Sequence, residues 1–224
     1  MNKNISVIVT CYNLEYYISR AVHSCLNQTL SQDHYEVIIV DDNSTDNSWK
    51  HIKIFDDNPT VIKVIKHKEN KGIAIASNTG IREASGKYIV RVDGDDYINE
   101  NFLFTMSEVL EHNDDIGFVY CDHIIVEKNK PRRVEINTLE KLLDHGAGVM
   151  FRKAYLESIG LYDESKRNCE DYELILRYMK NFDGYHLRLP YYRYFKQNGL
   201  SSKTEEREKL KKEILKKNDM ETYK

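Results

Sequence analysis

The chain has 224 residues, 41% of them hydrophobic and 31% charged, with a net charge of -3. That suffices for one substantial domain with a real core, of ordinary soluble globular composition. The two signs of charge are interspersed, so nothing in the totals points to nucleic acid. No apolar stretch approaches the ~20 residues needed to cross a bilayer, so any membrane contact is expected to be peripheral.

Residues 5–10 (ISVIVT) form a short continuous apolar run, the pattern of a strand covered on both faces. Asn13 is placed to cap the next helix, where Leu14, Tyr17, Ile18, Ala21, Val22 and Cys25 recur at the spacing of one buried face. Residues 35–40 (YEVIIV) are a second strand, ending at the turn cluster Asp41-Asp42-Asn43-Ser44. Thr45 or Asp46 caps a helix that turns Trp49, Ile52 and Phe55 inward. Residues 61–65 are a third strand, residues 73–84 a helix weakened by Gly80, and residues 88–92 a fourth strand. This alternation predicts a parallel sheet with right-handed crossovers.

The second half is less regular. Residues 101–111 read as a helix, 117–126 as a strand and 148–151 as a short strand. Residues 154–159 and 170–179 read as helices, and the polar stretch 127–141 shows no clear pattern. Residues 185–195 are extended, but Pro190 argues against a central strand. From about residue 201 the composition shifts: residues 203–217 hold seven Lys or Arg and four Glu, a local charge of +3. Ser202 and Glu205 match a capping box, and only Leu210, Ile214 and Leu215 are apolar. This segment reads either as a solvated terminal helix or as a basic helix lying against an anionic membrane. The expected division is a domain over residues 1–200 and a helical tail over 201–224.

Cys11, Cys25, Cys121 and Cys169 are far apart and form no CxxC pair, and the N-terminus passes directly into an apolar run without a signal peptide. They read as reduced, mostly buried thiols of a cytoplasmic protein.

In open parallel sheets, ligands bind beyond the carboxyl ends of the strands. Thr10-Cys11-Tyr12-Asn13 follows the first strand, Asp41-Asp42 the second and Asp93-Gly94-Asp95-Asp96 the fourth. Carboxylates this close raise one another's pKa unless a cation neutralises them. Oxygen donors suit Mg, Ca or Mn, and Mg completes its shell with water and substrate phosphates. The pattern implies a divalent cation shared with a phosphate-bearing ligand. A turn leading into a helix N-terminus is the alternative account of the same acids.

A further acid lies downstream. In a helix starting near Glu170, Asp171 shares one face with Leu174, Ile175, Tyr178 and Met179 and is its only polar member. It would point inward at the helix end, with Glu170 about 100° round from it. Attraction to the helix N-terminus, worth ~0.3–1 kcal/mol, explains an acid here but not its place on the apolar side.

SVIVTCYN, EVIIVDDNSTD, NKGIAIASNTGI, GKYIVRVDGDDY and the CED of residues 169–171 stand in an order and at separations that resemble family 2 glycosyltransferases, nucleotide-sugar-dependent inverting enzymes. The resemblance spans roughly residues 4–200. It implies the α/β, Rossmann-like GT-A fold, with a largely parallel central sheet covered by helices on both faces. It implies that Thr10 and Tyr12 flank a nucleotide base and that Asp42 binds base or ribose, with Asp41 beside it. Lys71 and Asn78 would join the donor site. Asp93 and Asp95 look like the DXD pair that engages ribose and a metal-bridged diphosphate, with Asp96 alongside; the metal would be Mg or Mn. Asp171 matches the family's catalytic base. The implied partners are a nucleotide-sugar donor, most simply a UDP-sugar, and a glycan or lipid-linked acceptor in bacterial surface-polysaccharide assembly. The QxxRW motif of processive synthases is absent, which favours addition of a single sugar. The implied location is cytoplasmic, at the inner face of the membrane.

The chain departs from the family pattern in two places. Ser77 stands where relatives often carry Arg, so a phosphate-facing cation is sought in Lys71 or Arg82. Phe195 stands where many relatives place a metal-approaching His. None of the eight histidines has zinc-ligand spacing, and His145, upstream of Asp171, is a candidate for the acceptor side. Other functions remain open on the same acidic rim: a nucleotidyltransferase, a phosphohydrolase, a glycosyltransferase fold that binds without turnover, or a receiver-like binding module suggested by IIVDDNS.

Overall fold

The computed structural model describes residues 3–57, 60–166, 168–196 and 205–217. The apolar runs of the first half become strands β1 (Ile5–Cys11), β2 (Tyr35–Asp41), β3 (Ile62–Lys66) and β4 (Tyr88–Asp93). Between them lie helices α1 (Ile18–Leu26), α2 (Ser48–Lys53) and α3 (Ile73–Glu83). The second half adds β5 (Tyr97–Ile98), α4 (Phe102–Glu111), β6 (Ile116–Val126), β7 (Arg133–Glu135) and α5 (Leu139–His145). It continues with β8 (Val149–Arg152), α6 (Lys153–Ser158), α7 (Glu170–Met179), β9 (Asp183–Phe195) and α8 (Glu205–Lys217).

The sheet runs β3-β2-β1-β4-β8-β6-β9-β5, with β7 on β6. Strands β1 to β4 pair in parallel, as the strand–helix alternation predicts. Beyond β4 the sheet is mixed, because β8 runs antiparallel to both β4 and β6 while β9 is parallel to β6. Successive residues of β1 and β2 enter opposite cores. Val7, Val9, Val37 and Ile39 pack with Ile18, Ala21, Val22 and Cys25 of α1. Ile8, Ile38 and Val40 pack with Ala74, Ala76 and Ile81 of α3. A strand buried on both faces needs apolar residues at every position, hence the unbroken runs. Gly80 belongs in α3 despite its low propensity, because a Cβ there would lie 2.4 Å from Ile8 Cγ2.

Several expectations are corrected. Asn13 caps no helix; at φ 55 its Oδ1 accepts from Thr45 N–H at 2.8 Å and ties the loop after β1 to the loop after β2. Asp46 does serve the start of α2, accepting from Ser48 N–H at 2.9 Å. Pro190 lies within a strand that has partners on both sides, yet it costs no ladder bond to β6. The pairing jumps from Cys121↔Leu187 to His123↔Tyr192, and Pro190 sits in that bulge. Residues 127–141 contain β7 and the start of α5, pieces too short for a period to show. The Ser202–Glu205 capping box lies partly outside the described residues. Helix α8 is not solvated all round: Ile214 is 2% exposed, and Leu210 and Leu215 pack against the same core cluster. The narrow apolar stripe that would have faced a membrane is thereby covered. All four cysteines are buried and unbonded, and no helix among the described residues is long and apolar enough to cross a membrane.

Candidate active site

A cleft of about 590 Å³ opens where β1, β2 and β4 end. Thr10 and Asp93 are register partners on adjacent strands, so both arrive at its floor together. Tyr12, 46% exposed, presents a ring at the edge. Asp42 also lines the cleft, and its carboxylate is held by the loop before α3: it accepts from Lys71 N–H at 2.9 Å and Gly72 N–H at 2.8 Å. His67 Nδ1 lies 2.7 Å from it.

The three acids after β4 are not equivalent. Asp93 Oδ1 is buried and makes no hydrogen bond among the described residues, although Arg91 Nε lies 3.1 Å away. Burial, with the Asp93 charge beside it, pushes the Asp95 carboxyl up to about 6. Asp96, expected among the metal ligands, has both oxygens engaged by β9: Tyr192 O–H donates at 2.8 Å and Phe195 N–H at 2.7 Å. Burial and then the neighbouring acids hold its pKa well above the usual range. Asp93 and Asp95 are thus less engaged by the rest of the fold than Asp96, whose two contacts leave it lone-pair sites of its own. Among the described residues no three His, Cys, Asp or Glu side chains form a ready metal cage. A two-carboxylate site suits an ion that draws its remaining ligands from water and substrate phosphates.

Asp171 reaches the same cleft from the first turn of α7 and is 7% exposed. Arg91 Nη2 pairs with its Oδ2 at 2.7 Å, and Tyr162 O–H donates to its Oδ1 at 3.2 Å. Burial raises its pKa, and the Arg91 charge opposes that rise. Glu170 is pushed up to about 7, first by burial and then by Asp171. Gly146, at φ +56, brings bare backbone against the acid; a Cβ there would lie 2.5 Å from Asp171 Cγ. Arg91 was missed in the sequence. Its signal was a charged residue inside the buried run YIVRVD, two positions before Asp93 and so on the same strand face.

Four expected positions fall outside the cleft lining. Asp41 is fully buried and accepts from Ser44 Oγ–H and N–H, bracing the turn after β2. Asn78 donates to the Tyr162 carbonyl and accepts from Tyr162 N–H at 3.0 Å, fixing the loop that carries Tyr162. Lys71 offers its backbone to Asp42, while its exposed side chain is not part of the lining. Arg82 pairs with Glu164 at 2.7 Å. His145 does line the cleft, beside Tyr194, and burial keeps its pKa well below the ordinary value. Arg207 of α8 lines the same wall and donates to the Asp144 carbonyl.

Residues 6–150 match the model of the family described as Glycosyl transferase family 2. The chain belongs to that family. This family 2 chain carries a glycosyltransferase domain. It is 32% identical over 187 residues to an uncharacterized glycosyltransferase of Haemophilus influenzae, covering 79% of this chain and 72% of the relative. It is 32% identical over 145 residues to the Escherichia coli UDP-Glc:alpha-D-GlcNAc-diphosphoundecaprenol beta-1,3-glucosyltransferase WfgD, covering 61% of this chain but only 55% of that protein. Its GT-A fold is shared with S. aureus TarS 1-349 in complex with UDP-GlcNAc, at TM-score 0.81 and 22% identity over 98% of this chain and 68% of that one.

Both departures from the family pattern have a structural setting. Ser77 is buried with no hydrogen-bond partner for its Oγ among the described residues, and it lines a void of about 10 Å³ together with Arg91. Phe195 packs against Tyr17, with ring centroids 5.1 Å apart, while its N–H holds Asp96.

Proposed function

We propose that this chain moves a single sugar from a nucleotide-diphosphate sugar, a UDP-sugar, to a hydroxyl of a glycan or lipid-linked acceptor, with inversion at the anomeric carbon. The observation that carries the reading is that two acids at a strand end, Asp93 and Asp95, share one cleft with a helix-end acid, Asp171. Asp93 Oδ1, buried without a hydrogen bond among the described residues and facing only the Arg91 charge at 3.1 Å, and the raised pKa of Asp95 both fit a divalent cation, Mg or Mn, that these two residues would hold. When bound, such an ion stabilises charge on a departing nucleoside diphosphate. Thr10 and Tyr12 would receive the base, Tyr12 through its ring face.

Asp171 is the proton acceptor in this scheme. A carboxylate has about four lone-pair sites, and the contacts from Arg91 and Tyr162 use two of them, so an acceptor hydroxyl can still bind. Taking that proton as the oxygen attacks the anomeric carbon needs no covalent enzyme intermediate. His145, held neutral, would line the acceptor side. The E. coli relative is named for transfer to a diphosphoundecaprenol-linked sugar, which supports a lipid-linked acceptor for this chain; surface-polysaccharide assembly at the cytoplasmic face of a membrane follows from that as part of the proposal.

The test is a thermal-shift panel of nucleoside diphosphates and nucleotide sugars with and without Mg or Mn, followed by assay of nucleoside diphosphate release. The expected result is a metal-dependent rise in Tm for one nucleotide, and release that requires an acceptor. Absence of any nucleotide-induced shift would defeat the reading. Release of inorganic phosphate without acceptor would replace it with a phosphohydrolase.

A further inference from the structure

Arg91 lies in the middle of β4, opposite Ile8 of β1, and its side chain is only 9% exposed. Sequestering a guanidinium is costly unless opposite charges and hydrogen bonds meet it. Here they come from two elements far apart in sequence. Nε faces Asp93 Oδ1 at 3.1 Å on β4 itself. Nη2 pairs with Asp171 Oδ2 at 2.7 Å, and Nη1 lies 3.8 Å from Glu170 Oε1, both on α7. Nη1 also donates to the Tyr162 hydroxyl at 3.3 Å, and that hydroxyl donates to Asp171 Oδ1.

We infer that Arg91 and the Tyr162 hydroxyl are positioning groups: they set the orientation of Asp171, and Arg91 ties that acid to Asp93 across the cleft. The assignment rests on the glycosyltransfer reading above. Three features argue for it. A sheet core is stabilised at least as well by apolar side chains as by a buried ion pair, so packing does not call for an arginine here. Every acid that Arg91 meets lines the cleft, and none of them is needed to close the sheet. Finally, a guanidinium is a rigid planar fork that stays charged, so it can hold two carboxylates at a fixed relation; an ammonium is a point charge and cannot. With Gly146 backbone closing the third side, Asp171 is caged by a cation, a hydroxyl and a peptide.

The reactive oxygen of the acceptor and the sugar carbon must meet in line, so a small turn of Asp171 is felt in turnover. Arg91→Lys keeps the charge but loses the fork. It should melt near the wild type and bind nucleoside diphosphate with Mg within a few-fold of it. Its kcat should fall by about a hundredfold, the scale of an ångström-sized misplacement. Tyr162→Phe removes one hydrogen bond to Asp171 and should lower kcat by roughly tenfold with donor KM unchanged. In the Asp171→Asn background, Arg91→Lys should cost nothing further, because residues acting through one group are non-additive. Wild-type kcat in Arg91→Lys, or full additivity in the double variant, would overturn the assignment. If Arg91→Lys does not fold, Tyr162→Phe decides, and unchanged kcat there sinks it. A wild-type chain that binds a nucleotide sugar but transfers nothing would defeat the glycosyltransfer reading and this assignment together; the other outcomes strike Arg91 and Tyr162 alone.

Discussion

The two walls of the cleft are built by different means. One wall is made of strand ends. Thr10, Asp42 and Asp93 are carried there by parallel ladders, in which Thr10 pairs with Asp93 and Cys11 with Asp41. A slip of one residue in such a ladder would turn every buried side chain to the other face, so the wall is rigidly specified. The other wall is made of side-chain packing between α5, α7, α8 and β9. Gly146 rests on Asp171, Lys211 and Arg207 both reach Asp144, and His145 packs edge-on to His123 at 4.8 Å. A wall of that kind can be re-cut by substitution without disturbing the sheet.

The largest expected effect tests where the two walls meet. Asp171→Asn should lower kcat by about 10²–10⁴-fold, the range for loss of a general base, while nucleotide-sugar binding on the ladder wall survives. Steady-state turnover and calorimetric titration would read the two separately. A variant that loses both together would show that the walls are not independent.

The second test is acid. Burial lowers the His123 pKa from 6.5 to about 4, and His145 is likewise lowered well below its ordinary value, first by burial. The unfolded chain then takes up protons that the folded chain refuses, so stability is intact above about 6.5 and falls as pH drops toward 4. For His123 alone the loss is on the order of 3 kcal/mol across that window. Asp95 and Glu170, raised to about 6 and about 7, take up protons in the folded chain and oppose this loss. The reading is therefore the difference between wild type and His123→Asn in urea melts from pH 7 to pH 4, with the wild type losing more stability. An equal loss in the two chains would place the acid sensitivity elsewhere than His123.

Gly146→Ala probes the same wall from the other side. A Cβ at φ +56, 2.5 Å from Asp171 Cγ, should displace the acid or the end of α5. We expect a loss of about 1–3 kcal/mol in urea unfolding and a lowered kcat, with nucleotide binding unchanged. Unchanged turnover would mean that the packed wall yields more readily than the geometry implies. The smallest effect belongs to the ladder wall: Asp95→Asn should weaken metal-dependent nucleotide binding by at least about tenfold, read as loss of the Mg-induced Tm shift.

Much of the ladder wall was legible. Residues 5–10, 35–40 and 88–92 are short, mostly apolar runs bounded by turn residues, the length and pattern of strands covered twice rather than of helices. The acids had to follow where those strands stop. Asp171 was legible because a lone acid broke an otherwise apolar helical stripe. The packed wall was not: β7 spans three residues and α5 seven, too few to show a period. The acids also could not be sorted by inspection. Asp41, Asp93 and Asp96 are the same side chain in similar turns, yet among the described residues Asp41 and Asp96 are held by hydrogen bonds while Asp93 Oδ1 faces only the Arg91 charge.

The alternation of apolar runs and turn clusters determined the parallel half of the sheet and the rim on which its acids gather, because backbone hydrogen bonding and burial act locally and repeat. Which of those acids keep free oxygens was decided only in three dimensions. Asp96 is held by a tyrosine 96 positions later, and Asp171 is paired with an arginine 80 positions earlier that leaves it lone-pair sites. A carboxylate's chemistry depends on its neighbours in space, and those neighbours are set by tertiary packing.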